Sequence, residues 1–374
     1  VNAPVTWLKP KLVAELNYTE MTTENRMRHP VFIQLRSDKN ANEITMKEDA
    51  KTVSPKAKEE KDKLEESVKQ IPNSNTITVD KRKLELTNLN KIFWPKQSYT
   101  KGDLIKYYDG IADYILPYLK NRPLSLKRNP NGISDEGFYH KDAGGTSPAW
   151  VKKADIHSAS AGKIIHYLVC NNKATLLYLA NLGCIEMNPW NSTTSNLEKP
   201  SYMVIDIDPS EKNTFNQVIE TALVTKEILD KAGTNSFCKT SGATGLHIYI
   251  PMGNKYEYEV VKNFAQIIAS MVQEQLPSYT TLVRSLAKRG DDKIYVDYLQ
   301  NRTGQTLASA YSVRPKNEAT ISTPLEWKEV KKGLLPQQFT IFNAAEIISK
   351  RADIFKGILG PATNIENCLK KLNV

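Results

Sequence analysis

Cysteine is scarce and scattered. The four thiols, Cys170, Cys184, Cys238 and Cys368, form no C-x-x-C pair, which argues against a zinc ribbon and a disulfide framework and fits a reducing compartment. Apolar runs are short, and none approaches the roughly 18 residues that cross a bilayer. The N-terminus shows no charged stretch followed by an apolar core, so neither export nor a membrane partner is expected and the expected location is the cytoplasm. The G-x-x-x-x-G-K-[ST] spacing is missing, which excludes a Walker A loop. There is no internal repeat, and residues 41–75 contain no aromatic side chain.

What is present is a basic excess: lysine and arginine number 51 against 41 acidic residues, a net charge of +10 in a chain of 374 residues that is 40% hydrophobic. Such a balance suits a polyanionic partner, nucleic acid first, although a basic surface without a partner gives the same count. The length allows two or more domains. Residues 41–75 are rich in lysine, glutamate and aspartate and punctuated by Pro55 and Pro72; they read as a charged flexible linker with transient helix near Lys56–Lys69. Residues 1–40 alternate apolar and polar positions and suggest short strands, too few for an independent sheet.

From Thr76 to the C-terminus the pattern is mixed α/β (α+β), with strands interspersed among helices. Gly102–Leu119 reads as one amphipathic helix. Further helices are expected over 214–232, stopped by Gly233, over 256–275, stopped before Pro277, and over a buried Lys173–Leu182. Strands are expected at 164–169, 201–207, 236–240, 246–250, 293–299 and 308–313.

The strand Ser-Tyr-Met-Val-Ile-Asp-Ile-Asp-Pro, 201–209, carries chemistry. Side chains alternate across a strand, so Asp206 and Asp208 share one face while Ile205 and Ile207 point to the other. Two close carboxylates repel unless a cation lies between them, and their hard oxygens suit Mg²⁺ or Mn²⁺; the same spacing also serves turns and helix caps. Asp297 interrupts the apolar strand Lys-Ile-Tyr-Val-Asp-Tyr-Leu-Gln-Asn, 293–301. A buried carboxylate needs an arginine, a metal or a capped backbone as partner. With Asp206 and Asp208 it would complete a three-carboxylate, two-metal centre. In Lys-Thr-Ser-Gly-Ala-Thr-Gly-Leu-His, 239–247, Gly242 and Gly245 let backbone N–H groups approach an anion toward which Ser241 and His247 converge; an ordinary hairpin with a core histidine reads the same way. Arg314, in Tyr-Ser-Val-Arg-Pro, 311–315, suits phosphate as a bidentate donor, or a surface turn.

D-I-D-P at 206–209, S-G-A-T-G-L-H-I-Y-I-P at 241–251, V-D-Y-L-Q-N at 296–301 and Y-S-V-R-P at 311–315, in that order, resemble the polymerase domain of bacterial DNA ligase D, of the archaeo-eukaryotic primase superfamily. The resemblance runs from about Leu84 to Trp327 and implies a primase-polymerase core of mixed β-sheets flanked by helices. It implies that Asp206, Asp208 and Asp297 bind two divalent ions, Mn²⁺ or Mg²⁺, and are catalytic. It assigns Ser241, Thr244, His247, Gln300 and Arg314 to the triphosphate of a nucleoside triphosphate. Asn-Leu-Asn-Lys-Ile-Phe-Trp-Pro, 88–95, followed by Tyr-Thr-Lys-Gly, is similar to the family's pocket for a DNA 5′-phosphate, with Lys91 and Lys101 as its lysines. Residues 122–132 and Phe138-Tyr139-His140-Lys141 resemble its template and primer region. There Arg128, Phe138, Tyr139 and Lys141 would track and stack the strand, though the two aromatics equally suit a core.

The chain departs from many relatives at Glu186-Met187-Asn188, where an amide stands in place of an imidazole, and at Thr244, where some have lysine. Residues 1–40, with Trp7-Leu8-Lys9-Pro10, Arg28-His29-Pro30 and Leu35-Arg36-Ser37-Asp38-Lys39, resemble the last strands of the OB-fold of an ATP-dependent DNA ligase. No K-x-D-G occurs in the sequence, so nick sealing is not expected. The domains expected are a ligase remnant at 1–40, the linker at 41–75 and the primase-like polymerase at 76–374. The implied reaction is template-directed nucleotidyl transfer with a preference for ribonucleotides at breaks and gaps. Its implied partners are 5′-phosphorylated DNA ends, Ku, and ligase and phosphoesterase domains of the same protein, in a bacterial, nucleoid-associated setting. A metal-dependent nuclease and a catalytically weak end-binding module are the alternatives.

Overall fold

The computed structural model describes residues 74–158 and 161–374, with short stretches between 13 and 35. The linker expected over 41–75 lies, up to residue 73, outside the described residues, as does the helix expected near Lys56–Lys69. The chain divides into two compact units, Val1–Gln70 and Ile71–Val374. In the first, β1 (Ala14–Asn17), β2 (Glu20–Met21), β3 (Met27–Arg28) and β4 (Val31–Leu35) form two antiparallel pairs, β1 with β4 and β2 with β3.

The second unit opens with two hairpins, β5 (Asn75–Val79) with β6 (Arg82–Leu86), and β7 (Ile92–Trp94) with β8 (Tyr99–Thr100). Thr100 then caps α1 (Lys101–Gly110): its hydroxyl accepts from the Asp103 N–H while the Asp103 carboxylate accepts from the Thr100 N–H. The single helix expected at Gly102–Leu119 is in fact two. Ile111, at φ −108° and ψ 13°, separates α1 from α2 (Ala112–Leu119), following Gly110, a residue whose missing Cβ leaves the backbone free to deviate. Next come β9 (Leu124–Arg128), β10 (Phe138–His140), β11 (Lys153–Ser158), β12 (Lys163–Leu168), α3 (Lys173–Asn181) and β13 (Cys184–Pro189). Strands β10, β9 and β13 make an antiparallel sheet in that order, and β11 pairs with β12.

The central sheet is built from β14 (Tyr202–Asp208), β15 (Phe237–Thr240), β16 (Leu246–Pro251), β17 (Thr280–Thr281), β18 (Ile294–Asp297) and β19 (Pro324–Leu325), ordered β17-β18-β14-β16-β15-β19. All neighbours are antiparallel except β17 and β18. Two amphipathic helices cover one face, α4 (Phe215–Lys231) and α5 (Tyr258–Gln275). Period-two alternation dictates this packing. Met203, Ile205 and Ile207 of β14, Ile248 and Ile250 of β16, and Ile294 and Val296 of β18 share a core with Val218, Ala222, Phe264 and Ile268 of the helices. The intervening residues face the other way; among them Tyr202, Val204 and Tyr249 join the core of α1, α2, α3, β9 and β13. Three short helices complete the unit, α6 (Leu286–Arg289), α7 (Ala344–Ser349) and α8 (Ile365–Leu372).

The strand expected at 308–313 is a buried turn. Tyr311 sits at φ 66°, outside the extended region, and the segment bonds to several neighbours: Ser309 N–H to Met187 O, Tyr311 N–H to Ser322 O and Arg314 N–H to Thr320 O. Tyr107 donates to Tyr311 O, and the Asp353 carboxylate accepts from both Tyr118 and Tyr311 hydroxyls, at 2.7 and 2.8 Å. The segment after the turn is thereby fixed.

The α5 face against the sheet is buried, Ile268 completely so. Ile268→Ala is expected to lower the unfolding free energy by about 3 kcal/mol, whereas Val260→Ala, on the exposed side of α5, should change it by less than about 0.5 kcal/mol; urea denaturation followed by circular dichroism measures both.

Candidate active site

The side of the central sheet away from α4 and α5 carries a cluster of charge. Antiparallel register sets Asp206 of β14 opposite Asp297 of β18 on one flank and opposite His247 of β16 on the other, with Asp208 two positions along the same face. The carboxylates thus meet as their alternation requires. Asp206 is almost buried, and its carboxyl is pushed well above the usual range by burial, then by Asp297 and by Asp208. Asp297 accepts from the Leu299 N–H at 2.6 Å and from the Gln300 amide at 2.9 Å. The buried carboxylate thus caps a backbone N–H, one of the partners open to it, and takes an amide as well. Asp208 pairs with Arg289 at 3.0 Å, whose guanidinium also lies over the Tyr295 ring.

Beneath this row sits a residue that the sequence reading passed over, Lys239 of β15, register partner of His247 and fully buried. Its ammonium has three acceptors: Ala308 O at 2.9 Å, Ser322 Oγ at 2.6 Å and His247 Nδ1 at 2.8 Å. While Lys239 is charged it has three donors and no acceptor, so His247 Nδ1 is then the accepting nitrogen. The proton of the neutral ring then lies on Nε2, which faces Asp206 Oδ1 at 3.3 Å. Burial first, and Lys239 and Arg314 after it, hold His247 well below its ordinary value, consistent with a neutral ring. Lys239 itself is pushed down by burial and by Arg314.

Two glycines let the turn between β15 and β16 close over the sheet. A Cβ on Gly242, whose φ is +69°, would meet Ile321 backbone at 2.8 Å, and one on Gly245 would stand 2.1 Å from Ile207 O. Inside the turn the Ser241 hydroxyl accepts from the Ala243 and Gly245 N–H groups, each at 3.0 Å. Arg314 is anchored alongside: Nε donates to Glu186 Oε2 at 2.6 Å and Nη1 to Ser241 O. Glu186, also unassigned by the sequence reading, is the buried counter-charge that aims this guanidinium.

The opposite wall is the β10-β9-β13 sheet. Ser125 faces Asn188 and Lys127 faces Glu186 across β9 and β13, and Lys127 faces Tyr139 across β9 and β10. The two walls bound a cleft of about 430 Å³ that brings together Asp206, Asp208, Ser241, Thr244, His247 and Arg314 with Tyr139, Lys141, Glu186 and Asn188. Gln300 and Asp297 do not line it; the Gln300 amide is spent on Asp297. Phe138 and Tyr139 are not core. They are 49% and 60% exposed, with Arg128 and Lys127 respectively 5.4 and 5.0 Å from their ring centres, an arrangement that suits stacking of a nucleobase.

Lys91 and Lys101 stand together at the entry to α1. The Lys101 N–H donates to Lys91 O at 2.8 Å, so the two stand side by side across the β7–β8 hairpin. Lys101 is buried and donates to Thr87 O at 2.6 Å, Lys91 donates to Asn131, and among the described residues neither ammonium has a carboxylate partner. Burial, with Lys91 adding to it, pushes the Lys101 ammonium down to about 8. Two cations without an anion at a helix N-terminus suit a phosphate.

Among the described residues, no three His, Cys, Asp or Glu side chains are placed to hold a metal ion as they stand, because Asp208 is turned to Arg289 and Asp297 to Gln300. The donor chemistry still fits a hard divalent cation. Repulsion among three neighbouring carboxylates is what raises Asp206 beyond its burial, and a cation between them relieves it.

Comparison with known proteins bears on the family and the fold. A family described as LigD, primase-polymerase domain matches residues 100–355, and one described as ATP dependent DNA ligase C terminal region matches residues 1–39. The chain is 35% identical over 271 residues to the bifunctional non-homologous end joining protein LigD of Bacillus subtilis, covering 72% of this chain and 43% of that protein. It is 29% identical over 326 residues to the multifunctional non-homologous end joining protein LigD of Pseudomonas aeruginosa, covering 87% of this chain and 37% of that one. The chain thus spans less than half the length of these curated relatives. Among solved structures, the polymerase domain from Mycobacterium tuberculosis ligase D in complex with DNA superposes with a TM-score of 0.69 at 25% identity, over 75% of this chain and 99% of that one.

The lowered Lys101 makes a pH prediction. Its ammonium loses its proton as pH rises through about 8, so the charged fraction falls about tenfold between pH 7 and pH 9. Affinity for a 5′-phosphorylated oligonucleotide, measured by fluorescence anisotropy, should fall over that window, and Lys101→Arg, which stays charged, should flatten the fall.

Proposed function

Because the chain belongs to the LigD primase-polymerase domain family, we propose that it is a template-directed nucleotidyltransferase that extends 3′ ends at DNA breaks and gaps. The observation that carries this reading is the register of β14 with β18 and β16, which sets Asp206 against both Asp297 and His247 at the foot of a cleft lined also by Ser241, Thr244 and Arg314. In the reaction the 3′-hydroxyl oxygen of a primer bonds to the α-phosphorus of a nucleoside triphosphate. The bond to the bridging oxygen breaks, pyrophosphate leaves, and the hydroxyl proton passes to solvent.

Asp206, Asp208 and Asp297 would hold two divalent ions, Mn²⁺ or Mg²⁺, after Asp208 leaves Arg289 and Asp297 leaves Gln300. Bound there, the ions supply charge neutralisation and activation of the attacking oxygen. The protein's own groups do the rest. Arg314, held by Glu186, neutralises phosphate charge, and Ser241, Thr244 and His247 hold phosphate oxygens, with His247 fixed by Lys239 as a donor through Nε2. Arg128, Phe138, Tyr139 and Lys141 track and stack the template and primer. Lys91 and Lys101 take the 5′-phosphate across the gap.

Preference for ribonucleotides and partnership with Ku and with ligase and phosphoesterase domains of a longer protein complete the proposal. The names of the relatives support a place in end joining, while the ribonucleotide preference and the particular partners rest on the family resemblance. The absence of K-x-D-G supports a chain that polymerises without sealing.

Primer extension on a gapped template with Mn²⁺ tests the assignment. Asp206→Asn should reduce extension roughly a thousandfold while the protein stays folded by circular dichroism. Unchanged extension would sink the assignment, and shortening of the labelled primer by the wild type would point to a nuclease. Lys91→Ala should remove the preference for a 5′-phosphorylated gap over a 5′-hydroxyl one and leave extension of a simple primer-template intact.

A further inference from the structure

Next to the paired lysines lies a patch that the proposed reaction leaves unused. Phe342 stands 56% exposed there, and its ring centre lies 4.3 Å from that of Tyr99, tilted by 45°. Tyr99 belongs to β8 and precedes Lys101 by two residues through Thr100, whose φ of −103° and ψ of 168° keep the chain extended. Residues two apart in an extended chain share a face and are about 7 Å apart. Tyr99 and Lys101 therefore lie on the same side of the chain, with Phe342 against the Tyr99 ring.

The position of Phe342 is fixed from below. The Thr340 N–H donates to Asn343 Oδ1 at 2.8 Å, the Asn343 amide donates to Gln338 O at 2.7 Å, and Ile341 and Ala344 on either side are buried. An aromatic held rigidly at the surface is a ready stacking platform, because its ordering cost is already met within the fold.

We propose that Tyr99 and Phe342 form a seat for the terminal nucleobase of the strand whose 5′-phosphate is held by Lys91 and Lys101. The occupant follows from the neighbouring charge. A patch beside two ammonium groups without a carboxylate suits a ligand that is anionic at one end and flat and apolar at the other, and a 5′-terminal nucleotide has that construction. The seat rests on the phosphate assignment of the two lysines and adds a contact to the base, which is sequence-tolerant because every base has a π-face.

Fluorescence anisotropy with the full chain and three gapped duplexes tests it: one with a normal 5′-phosphorylated nucleotide at the downstream end, one with an abasic 5′-phosphorylated residue, and one with a normal 5′-hydroxyl nucleotide. Phe342→Ala should weaken binding to the first about fivefold or more and leave the abasic duplex unchanged, and Phe342→Trp should restore it. Lys101→Ala should weaken both phosphorylated duplexes alike. Equal weakening of the normal and abasic duplexes by Phe342→Ala would make the ring a mere support for the lysines and overturn the seat, as would no effect on either. Should Lys101→Ala change nothing, the phosphate assignment would fall and the seat with it. Should Phe342→Ala alter only self-association by sedimentation, the patch would belong to a second copy of the chain and the seat would likewise be overturned.

Discussion

The register of β14 with β16 and β18 is the constraint on which the site's chemistry depends. Because side chains alternate, the isoleucines of β14 and the apolar residues of its two neighbours must turn to α4 and α5 to form a core. The remaining positions have no choice but to face the cleft. A slip by one residue would expose that core and bury Asp206 and Asp208 against two helices, at a cost of several kcal/mol per carboxylate. The energy that stabilises the sheet therefore also enforces the juxtaposition of Asp206, Asp297 and His247.

This explains what could be read from the chain alone. Asp206, Asp208 and Asp297 stood out because each interrupts an apolar strand, and a carboxylate in such a strand needs a reason. Gly242 and Gly245 stood out because their spacing marks a turn. Lys239 gave no such signal. It lies in a strand of four residues, and its three partners come from residues 8, 69 and 83 positions away, which no local pattern links. Glu186 was visible only as part of a departure at Asn188, not as the counter-charge of Arg314, a residue 128 positions away. The segment 308–313 misled because burial on several sides imitates the apolar character of a strand, while its backbone turns at Tyr311. The aromatics Phe138 and Tyr139 left core and surface readings open until the β9–β10 pairing set them over Lys127 and Arg128.

Charge is distributed by function across the polymerase unit. The cleft holds carboxylates at its foot and guanidinium on its wall, and each member of this set has a partner from another element: Asp208 has Arg289, Glu186 has Arg314, and His247 has Lys239. The α1 entry has the opposite character, with two lysines that lack such a partner among the described residues. A balanced cluster keeps a low-dielectric site from collapsing on a wrong charge, whereas an unbalanced pair is a standing demand for an anion.

The carboxylate of Asp353 ties this arrangement to a late part of the chain. It accepts from Tyr118 and Tyr311, and Tyr311 sets the course of the backbone that reaches Arg314. During synthesis the central sheet and both of its covering helices leave the ribosome well before Asp353 does. Until Asp353 has emerged, the hydroxyls of Tyr118 and Tyr311 lack the carboxylate that joins them, and the backbone leading to Arg314 is held by its other hydrogen bonds alone.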